Sequence, residues 1–350
     1  MKNFCDYPSF SATPLPQIFD TNPMSFIDIG ARDGVHSIVQ PFSQFTSVIG
    51  FEPDPDECRA IVEGLKSPDV QYAKARMEPI GLAGKLGKAV LHRISAATND
   101  SLRRPNKSYV DRYKMLKWRE IGESVVDVST IDHVIFELNK EDKTAGEFIK
   151  IDTQGTELEI LRAGERTLEE RCVALISEFS FCELYVDQGL FSELEQYLRG
   201  MGFVFYGFDL FRLRSCNQGN KKTNWSRERM IQADAIFFKD PLENTGSTNR
   251  ISKRQSSCLI VAAVLLEYFE FAHELACEFF ESLEAEMITR WIKEVSELDM
   301  NTERDALITA SKSVAQDLDN TLLVVGEFVD ARRKRNDVAY LRSRENTEKI

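Results

Sequence analysis

The sequence predicts an α/β fold: an open, mainly parallel sheet with an antiparallel edge hairpin, followed by a C-terminal α-helical hairpin or bundle. Three observations predict it. Apolar runs of strand length alternate with helically spaced apolar stripes from residue 25 to about 200, the pattern of a parallel sheet covered on both faces. Two more strand-like runs then follow without a stripe between them. Beyond residue 257 apolar residues recur only at helical spacing. A chain of 350 residues suggests two domains. The shifts in pattern place them at 1–240 and 258–345, joined by a polar linker at 241–257.

In chain order, Ser25-Phe26-Ile27-Asp28-Ile29 reads as a buried strand that ends in a turn at Gly30 and Gly34. Ser47-Val48-Ile49-Gly50-Phe51 is the second strand. It stops at Glu52, Pro53 and Pro55, since proline cannot continue a sheet. Cys58, Ile61, Val62 and Leu65 mark the next helix, and 80–83 is extended. Residues 86–135 break the alternation. There 88–94 and 124–128 read as extended around a polar stretch, an insertion at the mouth of the sheet on the acceptor side. Residues 147–152 and 172–178 are strands, separated by one helix with Leu158, Leu161 and Leu168 on its buried side. Phe191, Leu194, Tyr197 and Leu198 form a helix closed by Gly200 and Gly202. Residues 203–208 and 233–238 complete the sheet. In the tail, Leu259, Ala262, Leu266, Phe269, His273, Ala276, Phe280, Leu283 and Met287 keep strict 3,4 spacing, the seam of one long helix. Thr302 and Asp305 cap a second helix, with a stripe at Leu307, Ala310, Val314, Leu318, Leu322 and Val325.

Charge narrows the function. The formal charge is −12, and residues 258–330, with 16 acids against 4 bases, account for all of it. An acidic chain is a poor nucleic-acid binder, because that affinity rests on neutralising phosphates. The short basic clusters Lys221-Lys222 and Arg332-Arg333-Lys334-Arg335 read as solvated ends. The seven cysteines form no Cys-x-x-Cys, so reduced thiols in the cytoplasm are expected. The first twenty residues lack a signal-peptide core, and the longest apolar run spans 9 residues, whereas a membrane helix needs about 20. His36, His92, His133 and His273 have no metal-ligand spacing, and no metal site is expected. His273 falls in the tail seam, as a core or interface residue. The tail itself reads as an intramolecular hairpin or a homodimer interface, the dimer being favoured, with partner docking as a third reading.

The turn after the first strand carries the chemistry. Gly30 and Gly34 remove side chains where a ligand meets backbone. Asp28 stands where a carboxylate can order the turn or face a cation. Glu52 lies 24 residues on, at the next strand end, where an acid accepts hydrogen bonds from both ribose hydroxyls. The dinucleotide fingerprint needs Gly-x-Gly-x-x-Gly, whereas this turn reads Asp28-x-Gly30-x-x-x-Gly34. A nucleoside ligand without pyrophosphate, such as S-adenosylmethionine, therefore fits better than NAD. A sulfonium methyl is already a good electrophile, so alignment with the acceptor supplies much of the rate. A hydroxyl acceptor must also lose its proton. Asp152 or Glu178, both at strand carboxyl ends, can accept it. Thr153-Gln154 and Asp100-Ser101 are weaker candidates for acceptor contacts.

Residues 148–164 contain Lys150-Ile151-Asp152, Gly155, Glu157-Leu158-Glu159, Leu161 and Ala163-Gly164. This run resembles the long signature of FkbM-type methyltransferases. The strand ends at 26–34 and 50–53, and the segments Ser177-Glu178-Phe179 and 184–189, resemble other parts of that family. The likeness spans roughly residues 24–240. It implies a Rossmann-like class I methyltransferase sheet and S-adenosylmethionine dependence. The expected reaction is O-methylation of a glycan or glycosylated metabolite. It further implies that Asp28, Gly30, Ala31 and Gly34 line the methionine end of the cofactor, that Glu52 holds the ribose, and that Pro53, Asp54, Gly81 and Leu82 surround the adenine. Asp152 then lies near the methyl group. The chain departs from the family turn at Arg32, where asparagine is frequent. The competing reading is a catalytically inert scaffold that recruits a partner through its acidic helices.

Overall fold

The strand-like runs form strands β1 Met24–Ile29, β2 Thr46–Phe51, β3 Lys74–Glu78, β4 Gly81–Leu82, β5 Gly87–Ile94, β6 Glu120–Ser129, β7 Phe148–Ile151, β8 Ala174–Ser180, β9 Val204–Arg214 and β10 Arg229–Phe238. The structure is a computed structural model that describes residues 3–67, 71–214, 228–243, 251–297 and 300–330. Seven strands make one sheet in the order β3-β2-β1-β7-β8-β10-β9. The first five are parallel. β10 runs antiparallel to both β8 and β9, between which it is inserted. The final hairpin thus sits at the edge of the sheet, with β10 as its reversed strand. Every residue of β1 and β8 is buried, as central parallel strands covered on both faces require.

This order positions the site. From β1 the chain steps outward to β2 and β3, then returns to β7 on the other flank of β1. The reversal opens a crevice at the carboxyl ends of β1, β2 and β7, where open α/β sheets bind ligands. The insertion folds as a second sheet, β4-β6-β5, with Ala83, Leu91, Val126 and Val128 as its own small core.

The helices up to β9 are α1 Leu15–Phe19, α2 Pro55–Gly64, α3 Lys107–Arg112, α4 Glu157–Arg162, α5 Glu165–Glu170 and α6 Phe191–Gly200. The single helix expected after β7 is two. The break at Gly164 packs against Ile131, where a Cβ would come within 2.9 Å.

The tail differs more. The expected long helix is three: α7 Lys253–Leu265, α8 Phe269–Phe279 and α9 Ser282–Ser296. α7 ends in a Schellman-type cap. Tyr268 N–H donates to the Ala263 carbonyl at 2.8 Å, with Glu267 at φ +66°. Glutamate in that left-handed position leaves no glycine to betray the stop. The seam also misplaces the buried face of α8, which is Phe271, Ala272, Leu275 and Ala276, whereas His273 is exposed. α10 Met300–Gln316 begins before Thr302, which therefore lies in its first turn instead of capping it. α11 Thr321–Asp330 follows.

The chain divides into two compact units, Met1–Ile292 and Lys293–Ile350. The first therefore extends beyond the boundary expected at 240, because α7 is a core helix. Its residues Cys258 to Val264 are all fully buried. Arg254, in its first turn, forks onto Glu147 at 2.6 and 2.9 Å and donates to the carbonyls of Ile18, Asn22 and Pro23. Residues 244–250 of the expected linker and both basic clusters lie outside the described residues. No helix among the described residues is long and apolar enough to cross a membrane.

Candidate active site

A cavity of about 320 Å³ occupies the crevice. β1 contributes Ile29 and the turn residues Gly30, Arg32 and Asp33. β2 contributes Phe51, Glu52 and Pro53, and β4 contributes Gly81 and Leu82. β7 and its loop contribute Lys150, Asp152 and Gln154. Glu178 of β8, Asp209 and Arg212 of β9, and Asp234 of β10 close the far end. The insertion supplies Leu91, Asp100 and Ser101 as one wall.

Gly30 has φ +79°, and a Cβ there would stand 1.9 Å from the Asp152 carbonyl oxygen. The β1 and β7 turns meet so closely that only glycine fits. Asp28 lies beneath the turn, fully buried. Its Oδ2 accepts from His36 N–H at 2.7 Å. Its Oδ1 has the Lys150 ammonium at 3.5 Å and no hydrogen-bond donor. The carboxylate thus orders the loop and holds Lys150.

Glu52 is buried at the cavity wall and accepts from Asp54 N–H at 2.8 Å through Oε1. Burial pushes its carboxyl up, opposed by that amide and by Arg32. Arg32, the departure from the family turn, pairs with Asp100 of the insertion at 3.1 Å. Arg93 bridges the same Asp100 to Asp54 at 3.0 and 2.6 Å. Asp54 also caps α2 by accepting from the amides of Asp56 and Glu57.

The far end is acidic. Lys150 Nζ lies 3.9 Å from Asp152 Oδ2 and donates to the Gly30 carbonyl at 3.3 Å. Burial opposes its charge, yet Asp28, Asp152, Glu178 and Asp234 together hold the ammonium above the ordinary lysine range. Burial, then Asp152 and Asp234, push the Glu178 carboxyl well above its usual range. Burial and Asp152 raise Asp234 to about 6. Arg212 Nε stands 3.9 Å from Glu178.

Asp152, Glu157 and Glu178 carry carboxylate oxygens within 4.8 Å of one another. Glu157 is committed to its own loop, accepting from the amides of Thr153 and Gly155. A second such cluster, His92, Glu120 and Glu123, lies on the insertion, with Arg104 on Glu123 at 2.6 Å.

The family model described as the methyltransferase FkbM domain matches residues 28–205, half of the chain. The chain belongs to the FkbM methyltransferase family. A crystal structure of methyltransferase FkbM from Methylobacillus flagellatus KT is similar at 15% identity and a TM-score of 0.34, over 62% of this chain. The chain spans 44% of that protein. Comparison with curated proteins finds no match.

In this member of the FkbM methyltransferase family, Gly30, Glu52, Pro53, Gly81, Leu82, Asp152 and Glu178 line one cavity. Asp28, Ala31, Gly34 and Asp54 do not line it. Asp28 and Asp54 shape the walls through the bonds above, and Ala31 is buried beside Gly50. Gly34 has φ +113° with open space where a Cβ would stand, so it serves backbone geometry. Lys150, Arg212 and Asp234 escaped the sequence reading. Lys150 and Asp234 left a signal, a lone charge inside an apolar strand run. Arg212 left none, because nothing in β9 shows which neighbour it will meet.

Proposed function

We propose that this protein is an S-adenosylmethionine-dependent O-methyltransferase acting on a hydroxyl of a glycan or glycosylated metabolite. The observation that carries the proposal is one continuous cavity lined by both Glu52 and Asp152. The residues fit the cofactor. Glu52 is a buried carboxylate at the edge of β2, suited to a ribose diol. Gly30 offers backbone without a side chain, and the size of the cavity suits a small ligand.

S-adenosylmethionine bound here would supply an electrophilic methyl group on its sulfonium, with Glu52 holding its ribose and the Gly30 turn its methionine end. The protein's part is to align and deprotonate the acceptor. Asp152 takes the hydroxyl proton, a contribution of about 10²–10⁴-fold. The Lys150 ammonium faces the Asp152 carboxylate at 3.9 Å. The insertion, latched by Arg32 to Asp100, walls one side of the cavity beside the reacting groups. The free thiols of Cys5, Cys58, Cys172, Cys182, Cys258 and Cys277 support a cytoplasmic setting. The exposed apolar stripes of α10 and α11 support a homodimer.

Calorimetry with S-adenosylmethionine tests the cofactor. Glu52→Ala removes charge-assisted hydrogen bonds of about 1.5–3 kcal/mol, so its affinity falls about 10- to 100-fold. Unchanged affinity ends the ribose assignment. Transfer of labelled methyl into glycan fractions of cell extract, absent with Asp152→Asn, tests the reaction.

A further inference from the structure

Gln154 reads two carboxyl groups at once. Its Nε2 donates to Asp152 Oδ1 at 2.8 Å and to Glu178 Oε2 at 2.6 Å. Rotated by 180°, the amide would set its oxygen against both acids, so its orientation follows from its neighbours. The Tyr185 hydroxyl meets the amide oxygen from the other side at 2.9 Å.

The surroundings hold this side chain firmly. Gln154 has φ +58°, a left-handed conformation that costs a non-glycine residue about 1 kcal/mol or more. Ser101 Oγ of the insertion donates to its carbonyl at 2.6 Å. Gly155 follows at φ +106°, where a Cβ would come within 3.0 Å of the Tyr185 ring. Tyr185 is itself fixed by Gln188, whose Oε1 accepts from the amides of Leu184 and Tyr185 at 2.8 and 2.9 Å. The segments 148–164 and 184–189 are therefore one device. The later one supplies Tyr185, the earlier one supplies the glycine that admits its ring, and both converge on the Gln154 amide.

The two acids differ in access. The Asp152 side chain is 32% exposed and lines the cavity, whereas that of Glu178 is 4% exposed. Asp152 faces the Lys150 ammonium. Glu178 sits opposite Asp234 across the β8–β10 ladder, with Glu157 close by and Arg212 at 3.9 Å. Two ionised carboxylates this close are unfavourable, so one proton between them is the stable charge state.

We propose that Gln154 is a positioning residue that clamps Asp152 and Glu178 into a carboxyl pair sharing one proton, Glu178 holding it and Asp152 left as the carboxylate that faces the acceptor. The role of Asp152 as base rests on the methyl-transfer reading; the pair itself does not. The elevated carboxyls of Glu178 and Asp234 agree with it.

The pair is visible by infrared titration of the full-length protein without cofactor or acceptor, in an Asp234→Asn background that silences the neighbouring acid. A protonated-carboxyl band should be present at pH 7 and vanish in Glu178→Gln. Gln154→Leu withdraws a donor from both acids. The midpoint of the band should then rise by about one pH unit. Tyr185→Phe keeps the amide but loosens it. It should shift the midpoint less, in the same direction, and serves if Gln154→Leu does not fold. No band at pH 7, a band that survives Glu178→Gln, or a midpoint unmoved in both Gln154→Leu and Tyr185→Phe overturns the proposal. A band with no calorimetric binding of S-adenosylmethionine upholds the pair and removes the methyl-transfer reading. Cofactor binding with no band does the reverse.

Discussion

Asp234 shows one carboxyl under two opposing demands. Burial and Asp152 raise it to about 6 from an ordinary 3.8. The folded state therefore keeps a proton that the unfolded chain releases between about pH 4 and 6. Stability falls as pH rises through that window and is level above it. Asp234→Asn removes the penalty. The variant should gain as much as about 3 kcal/mol above pH 6 and nothing at pH 4, read from urea midpoints at both values. Gly30 makes the opposite point. An alanine there meets the Asp152 carbonyl oxygen and a strained φ together, so Gly30→Ala should cost at least about 2 kcal/mol. Thermal unfolding measures it. The importance of Gly30 was legible in the spacing of the turn. Its neighbour across the crevice was not, because the two turns lie 122 positions apart in sequence.

α7 is the element whose place the sequence concealed. Its run of apolar residues suits a helix buried on all sides as well as one side of a hairpin. The deciding contact is Arg254 with Glu147, whose side chain is 5% exposed and also accepts from Ser25 N–H at 3.0 Å. Arg254 thus ties α7 to β1 and to the start of β7. Arg254→Ala strands a buried carboxylate and should destabilise the protein by about 3–5 kcal/mol. Pairing Arg254→Met with Glu147→Met should recover much of that loss, since apolar replacement of both partners leaves no buried charge. Chemical denaturation of the two variants gives the comparison. The insertion was legible as two extended runs around a polar stretch. Its role as a cavity wall came from Asp100, which joins Arg32 of the β1 turn to Arg93 of β5.

For the whole molecule, assembly is the open property with a direct test. Leu307, Ile308, Leu318, Leu322, Leu323, Val325 and Val329 of the second unit are exposed, more apolar surface than a lone helical hairpin usually leaves in water. A homodimer predicts twice the 40.0 kDa chain mass in light scattering, and one chain mass for Leu318→Lys with Leu322→Lys. A monomeric parent chain retires the dimer. The parallel sheet, the crevice turn with Gly30, the acid at Glu52 and the family signature are all readable along the chain. Those signals are local: apolar period, glycine spacing and residues consecutive along one strand end. Folding in three dimensions is what inserts β10 between β8 and β9, draws α7 into the core, and brings Lys150, Gln154, Glu178, Arg212 and Asp234 to one cavity. Those facts depend on which distant strands become neighbours, and burial and like charge act only once the neighbours have met.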